Sequence, residues 1–337
     1  MAIFKSILRQ IGVWFYGPIA LESSVLGILP PELILYITRF IPPESTLSFS
    51  LCCLPIHSIL QSQYTKIVKE DQHLDRYQFL TLLERDLPNH ILCYFCKRLH
   101  AMKNAHQYDS NQRYANRNVF PCWKSDYNYL VWRYIDHSFC FRVFQMTMKL
   151  YRQGLNYSEL LKLLSHQTKI RSTQGYDQHR TASSKIVAGS LLIRQQRRFM
   201  MPPAQQTTIL RDISFHICPH IQFKSLKIVN EHRDITNRPY RKELHGYRNR
   251  NRLMKCKYCL TEFQIDFEEP GKQGYAMSFI KWQDLGQGLS PLDRKWQSHV
   301  AEGRDQLWKQ VRFGRGSIYA AFEGKKHIEF ELNNRYS

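Results

Sequence analysis

Cys218-Pro-His220 and Cys256-Lys-Tyr-Cys259 are the residues of this chain whose types and spacing best match a known chemistry. Two thiolates two residues apart form a knuckle that holds two corners of a metal tetrahedron, and a Cys-x-His pair supplies the other two. Soft sulfur with imidazole is a zinc donor set. The expectation is one closed, structural zinc held by Cys218, His220, Cys256 and Cys259, with ligand atoms within about 4 Å of one another. Residues 221–255 supply a loop or hairpin between the two halves, and Thr261 to Ile265 the strand that leaves the knuckle. A second set is Cys93, Cys96 and His100, closed by Cys122 or His106. The cysteine count of 9 is odd. Without a convincing secretory signal, CxxC spacing favours metal over disulfide. Cys52, Cys53 and Cys140 fall on apolar helix faces and read as small buried hydrophobes. The chain carries neither a Walker-type glycine loop nor G-x-G-x-x-G, and no carboxylate stands near His216, Cys218 and His220 in sequence, so no catalytic residues are assigned and a non-enzyme is expected.

The elements that must position these residues change character along the chain. From Leu29 to Leu60, apolar residues recur at three-and-four spacing: Leu33, Ile34, Ile37, Phe40 and Ile41, then Leu47, Leu51 and Leu54, then Ile56, Ile59 and Leu60. Pro42-Pro43 and Pro55 separate three short helices. A capped helix is expected from Asp75 to Pro88, then a tight cysteine-bearing turn in ILCYFCKRLH. Residues 104–128 read as loop, 129–151 as one helix ending at Gly154, and Asn156 or Ser158 as the cap of another through Leu164. Beyond Thr168 the pattern turns to strands. A hairpin turns at Gly189-Ser190, and further strands are expected in Thr207–Ile217, Phe263–Phe267 and Tyr275–Trp282. Asp293–Leu307 reads as a helix, and Ile318–Leu332 as a helix followed by a strand. The fold class is therefore α+β. Its expected parts are a lead-in over 1–24, a three-helix segment over 25–62, a helical region with the CxxC turn over 63–166, and a β-rich domain over 167–337.

Residues 29–60, LPPELILYITRFIPPESTLSFSLCCLPIHSIL, resemble an F-box, beginning with Leu29-Pro30 and Glu32. The match departs late, with Pro55 and Ile56 where many members carry a basic residue and an aromatic. The chain as a whole resembles F-box proteins of filamentous fungi. The FLTLLERDLP and CYFCKRLH segments, the CPH and CKYCLTEF segments, and KWQDLGQGLSPLDRKWQSH carry that likeness. The resemblance implies a non-catalytic substrate receptor that docks a Skp-type adaptor of a cullin-RING, SCF-type ubiquitin ligase. By position in the motif it implies adaptor contacts at Leu29, Pro30, Ile34, Ile37, Leu47 and Leu51, a cytoplasmic or nuclear location, and a protein substrate that the sequence does not name. No repeat of the WD, kelch or leucine-rich kind is present.

The 337 residues, 43% hydrophobic and 13% aromatic, suffice for a packed core. No apolar run approaches the roughly 20 residues of a membrane span. The N-terminal MAIFKSILRQIGVWFYGPIALESS lacks an acidic residue before Glu22, so it admits a mitochondrial presequence or a surface helix as well as a lead-in packed on the F-box. The 48 basic and 28 acidic residues give a net charge of +20. Arg233, Arg238, Arg241, Lys242, Arg248, Arg250, Arg252, Lys255 and Lys257, interleaved with Tyr240 and Tyr247, form a basic run. It supports a rival reading: a zinc-containing nucleic-acid-binding protein using segment 233–257.

Overall fold

The computed structural model describes residues 24–70, 76–108, 127–171, 176–202, 213–224, 227–233, 239–243, 253–271, 274–300 and 310–324. The fold is α+β, as the sequence pattern implies. The chain divides into two compact units: Met1–Cys93 with Lys97–Ala101, and Tyr94–Cys96 with Met102–Ser337. The expected middle region 63–166 is thereby split, since the helices after residue 127 group with the strands that follow them. The lead-in up to residue 23, most of the basic run and the strand expected near Leu332 lie outside the described residues.

The first unit is helical. Helix α1 spans Pro31–Thr38, α2 Pro43–Ser50, α3 Leu54–Glu70 and α4 Arg76–Asp86. Proline stands in the first turn of both α1 and α2, where its missing amide costs nothing and its fixed φ suits the helix. Glu32 and Glu44 follow in those same turns, where the helix dipole favours negative charge. Ile34, Cys53, Ile56 and Leu60 form one small core. Leu47 joins Phe79, Leu80, Leu83, Leu87, Leu92 and Leu99 in another. Thr38 Oγ1 donates to Gln63 Oε1 at 2.7 Å and ties α1 to α3. The expected cysteine-bearing turn is a hairpin of β1 (His90–Cys93) and β2 (Arg98–Ala101).

The second unit contains α5 (Tyr127–Tyr134), α6 (Phe141–Arg152) and α7 (Ser158–Leu163), followed by two sheets. The helix expected over 129–151 is thus two, broken at 135–140. Asp136 Oδ1 there accepts the Ser138 amide at 2.8 Å and its hydroxyl at 2.6 Å, a local bond that competes with the helix. Strands β3 (His166–Arg171), β4 (Asp177–Val187), β5 (Ser190–Met201), β10 (Met254–Lys255), β11 (Thr261–Gly271) and β12 (Gly274–Asp284) form an antiparallel sheet in the order β10-β11-β12-β5-β4-β3. Ala188 and Gly189, both at positive φ, make the β4–β5 turn, one residue ahead of the expected Gly-Ser pair. Strands β6 (Ser214–Cys218), β7 (Ile221–Lys224), β8 (Lys227–Arg233) and β9 (Pro239–Glu243) form a second meander. Phe199, Phe263 and Phe279 of the first sheet share a core with Phe215 and Phe223 of the second, the Phe215 and Phe279 rings standing 4.6 Å apart. On the other face of the first sheet, α9 (Ser317–Glu323) packs Ile318 against Leu192 and Trp282.

The KWQDLGQGLSPLDRKWQSH segment ends β12, turns through Gly286 and Gly288, and enters α8 (Arg294–Val300). Trp296, fully buried, lies 4.6 Å from the ring of Phe141, 5.6 Å from Phe144 and 5.8 Å from Phe139. Gly288 has φ +63°, and a Cβ there would stand 3.0 Å from the Phe144 ring. Gly288→Ala is therefore expected to cost about 1–3 kcal/mol, through left-handed backbone strain and displacement of a packed ring. Thermal unfolding would register this as a lowered midpoint, and an unchanged midpoint would contradict it.

Candidate functional site

Cys218 ends β6, and Pro219-His220 turns the chain into β7. Cys256 follows β10, and Cys259 stands two residues before β11. The β6–β7 turn and the knuckle come together from the two sheets, so Cys218, His220, Cys256 and Cys259 meet as the sequence spacing predicts. Exposure is 0% at Cys218 and Cys259 and 1% at His220 and Cys256. One ligand atom from each lies within 4.8 Å of every other, with Cys218 Sγ 3.9 Å from His220 Nδ1. This bound is looser than the expected limit of about 4 Å, which the Cys218–His220 pair meets. Bonds of about 2.3 Å to sulfur set tetrahedral ligands about 3.8 Å apart, so an inward shift of about 1 Å or less would seat an ion.

The donor set fits a metal: three buried thiols and a buried imidazole converge with no carboxylate among them. Burial raises the Cys218 and Cys259 thiols well above their ordinary pKa. At Cys256 burial works the same way, but hydrogen bonds from Cys218, Cys259 and His220 outweigh it and hold its pKa well below the ordinary value. The low pKa at Cys256 favours one thiolate, and a bound cation would favour ionisation of the other two. The surroundings suit sulfur that carries charge. The Tyr258 amide donates to Cys256 Sγ at 3.4 Å, and Thr261 Oγ1 lies 3.1 Å from Cys259 Sγ. Knuckle geometry is fixed by Cys256 N to Thr261 O at 2.9 Å and Thr261 N to Cys259 O at 2.8 Å. These four residues can hold a metal ion.

Residues around the cluster escaped sequence reasoning. Lys281 is fully buried, and its Nζ donates to Tyr134 O at 2.7 Å and to Ile217 O at 3.2 Å, beside Cys218. Thr261 Oγ1 also faces His299 Nδ1 at 3.5 Å, and Gln283 Nε2 faces the same nitrogen at 3.2 Å. Burial pushes His299 down to about 4. The signal for Lys281 was its place in the β12 alternation, on the same side as the buried Phe279 and Gln283. Asp136, His137 and His166 form another cluster, with both histidine Nδ1 atoms 3.4 Å from Asp136 Oδ1. Burial opposes ionisation of Asp136, yet hydrogen bonds from His137 and Ser138 and the charge of His166 keep its pKa well below the usual carboxylate range.

Cys93, Cys96 and His100 of the hairpin also have ligand atoms within 4.8 Å of one another. Of the two residues expected to close the set, Cys122 lies outside the described residues and His106 is not in the group. Cys53 and Cys140 are buried as expected, whereas Cys52 is exposed.

The expected adaptor positions separate. Ile34 at 2% exposure and Leu47 at 0% are inside the helical unit's own cores, and Leu29 and Leu51 pack against them partly buried. Pro30 and Ile37 are exposed. The outward face of α1 and the turn that follows it carries Leu33, Tyr36, Ile37 and Phe40, at 47, 55, 44 and 72% exposure. Tyr36 and Phe40 stack edge to face at 5.0 Å. The i, i+3, i+4, i+7 spacing makes this one stripe. Ile34 and Leu47 are therefore corrected from adaptor contacts to core residues, because one helix face cannot pack inward and dock outward at once. Among the described residues no helix is long and apolar enough to cross a membrane.

No family model, curated protein or solved structure matches this chain.

If the Cys/His cluster binds metal, removing the metal should leave buried thiols with opposing proton demands. A strong chelator should lower the thermal midpoint by several degrees or more, and added metal should restore it. Cys259→Ser should reproduce the loss without responding to chelator. A midpoint indifferent to both treatments would contradict metal binding.

Proposed function

We propose that this chain is a non-catalytic substrate receptor that docks a Skp-type adaptor of a cullin-RING ubiquitin ligase, with a zinc-clamped β-rich body that reads a protein substrate. The observation that carries the reading is the exposed Leu33, Tyr36, Ile37 and Phe40 stripe on a segment that resembles an F-box. Short helices that cover only small cores leave a contiguous apolar surface, and such a surface marks a protein partner. Exposed aromatics beside aliphatics match the make-up of interface hot spots. Pro30 and Ile37 belong to the docking face, and Leu29 and Leu51 brace it from beneath. Zinc is the metal that the donor set favours: three sulfurs and an imidazole with no carboxylate, in a closed site that stabilises rather than catalyses.

The test is direct binding of the purified chain to a purified Skp-type adaptor. Ile37→Asp with Phe40→Asp should weaken the complex at least about a hundredfold, because each places a charge in an apolar interface. Both positions are exposed, so circular dichroism of the variant should match the unaltered chain. Undiminished binding by the double variant, or no binding by the unaltered chain, would sink the proposal.

A further inference from the structure

Thr168, Arg180 and Arg197 stand in one cross-strand row on the inner face of the six-stranded sheet. Thr168 is the register partner of Arg180, and Arg180 of Arg197. His166 is the next residue along on the same face of β3, opposite Ala182. Directly paired positions hold side chains about 5 Å apart, and like charges there are destabilising. Two arginines in such a pair need an anion to offset them.

Among the described residues only one carboxylate lies near, and it makes no ion pair with either arginine. Neither Arg180 nor Arg197 forms an ion pair among those residues. Arg180 Nη2 donates to the neutral Gln178 Oε1 at 2.8 Å, and the Arg197 guanidinium lies 5.5 Å over the Phe215 ring. Burial and then the charge of Arg180 push Arg197 down to about 10. Asp136 is the nearby acid, but its Oδ1 is engaged by the Ser138 amide and hydroxyl and faced by His137 and His166. Lys281, also on this face, donates to backbone carbonyls. Three cations thus share one carboxylate.

The row also carries polar atoms shielded from water. Arg180 Nε, Thr168 Oγ1 and His166 Nε2 are buried and have no hydrogen-bond partner among the described residues. His166 Nδ1 is taken by Ser138 Oγ at 2.6 Å, so the free nitrogen is the one directed elsewhere. Buried polar groups are nearly always satisfied, and several orphans on one patch indicate an occupant. Arg180, Arg197 and Thr168 are each only partly buried, and β3 is an edge strand, so a small ligand can approach.

We propose that Thr168, Arg180 and Arg197, with His166 beside them, bind a single tetrahedral oxyanion of the phosphate class. A fork of guanidinium donors matches the geometry of phosphate oxygens, the Thr168 hydroxyl adds a neutral donor, and the negative charge relieves the arginine pair. The site is separate from both the docking face and the Cys/His cluster.

Isothermal titration of the full chain with inorganic phosphate, at constant ionic strength in chloride, tests the site. One saturable equivalent is expected. Arg180→Met and Arg197→Met should each weaken binding about tenfold or more, the loss typical of a charged hydrogen bond. Arg152→Met, at the exposed end of α6, should leave it unchanged and so separate a built site from attraction to the +20 net charge. Thr168→Val preserves shape and charge, and should weaken binding severalfold even if an arginine variant fails to fold. O-phosphoserine forms the second arm. Tighter binding than inorganic phosphate assigns the site to phosphorylated side chains, and binding of inorganic phosphate alone assigns it to the free ion. Absence of saturable binding in the unaltered chain, or equal affinity in the Thr168→Val and arginine variants, would overturn the proposal.

Discussion

The second unit depends on one constraint: three thiols and an imidazole, from chain segments far apart in sequence, meet where water does not reach. Were these thiols to ionise there they would repel one another and lose their hydration, and a cation among them would offset both. Seating one ion would close the long stretch between His220 and Cys256 and fasten the β6–β7 turn to the knuckle before β11. The Phe199, Phe215 and Phe279 packing between the sheets lies in the same core as the cysteines. An ion seated there would reinforce the aromatic core.

The helical unit is organised differently. Its apolar residues are divided between two small cores and an outward stripe. Burying Ile34 and Leu47 consolidates the unit, while Phe40 and its neighbours stay outside.

Much of this was legible in the residues. The CxxC and Cys-x-His spacings located the Cys/His cluster because ligand geometry fixes local spacing. Pro42-Pro43 and Pro55 marked the divisions between the first three helices, and Gly154 at φ +67° marked the end of α6. Other features depend on register. Ile34 and Ile37 belong to the same apolar pattern, but only the packed helix shows that one faces in and the other out. The break at 135–140 has neither proline nor glycine to announce it, since its cause is a side-chain bond from Asp136 to the Ser138 backbone. Thr168, Arg180 and Arg197 come from three strands and become neighbours only when those strands pair.

Sulfur-to-metal geometry tests the central constraint most directly. X-ray absorption at the zinc edge of the full chain, purified with its metal, reads the ligands without reference to activity. Zinc held by Cys218, His220, Cys256 and Cys259 gives three sulfur scatterers at about 2.3 Å and one nitrogen at about 2.0 Å. A shell of oxygen and nitrogen alone, or a chain purified without zinc that folds unchanged, would contradict it.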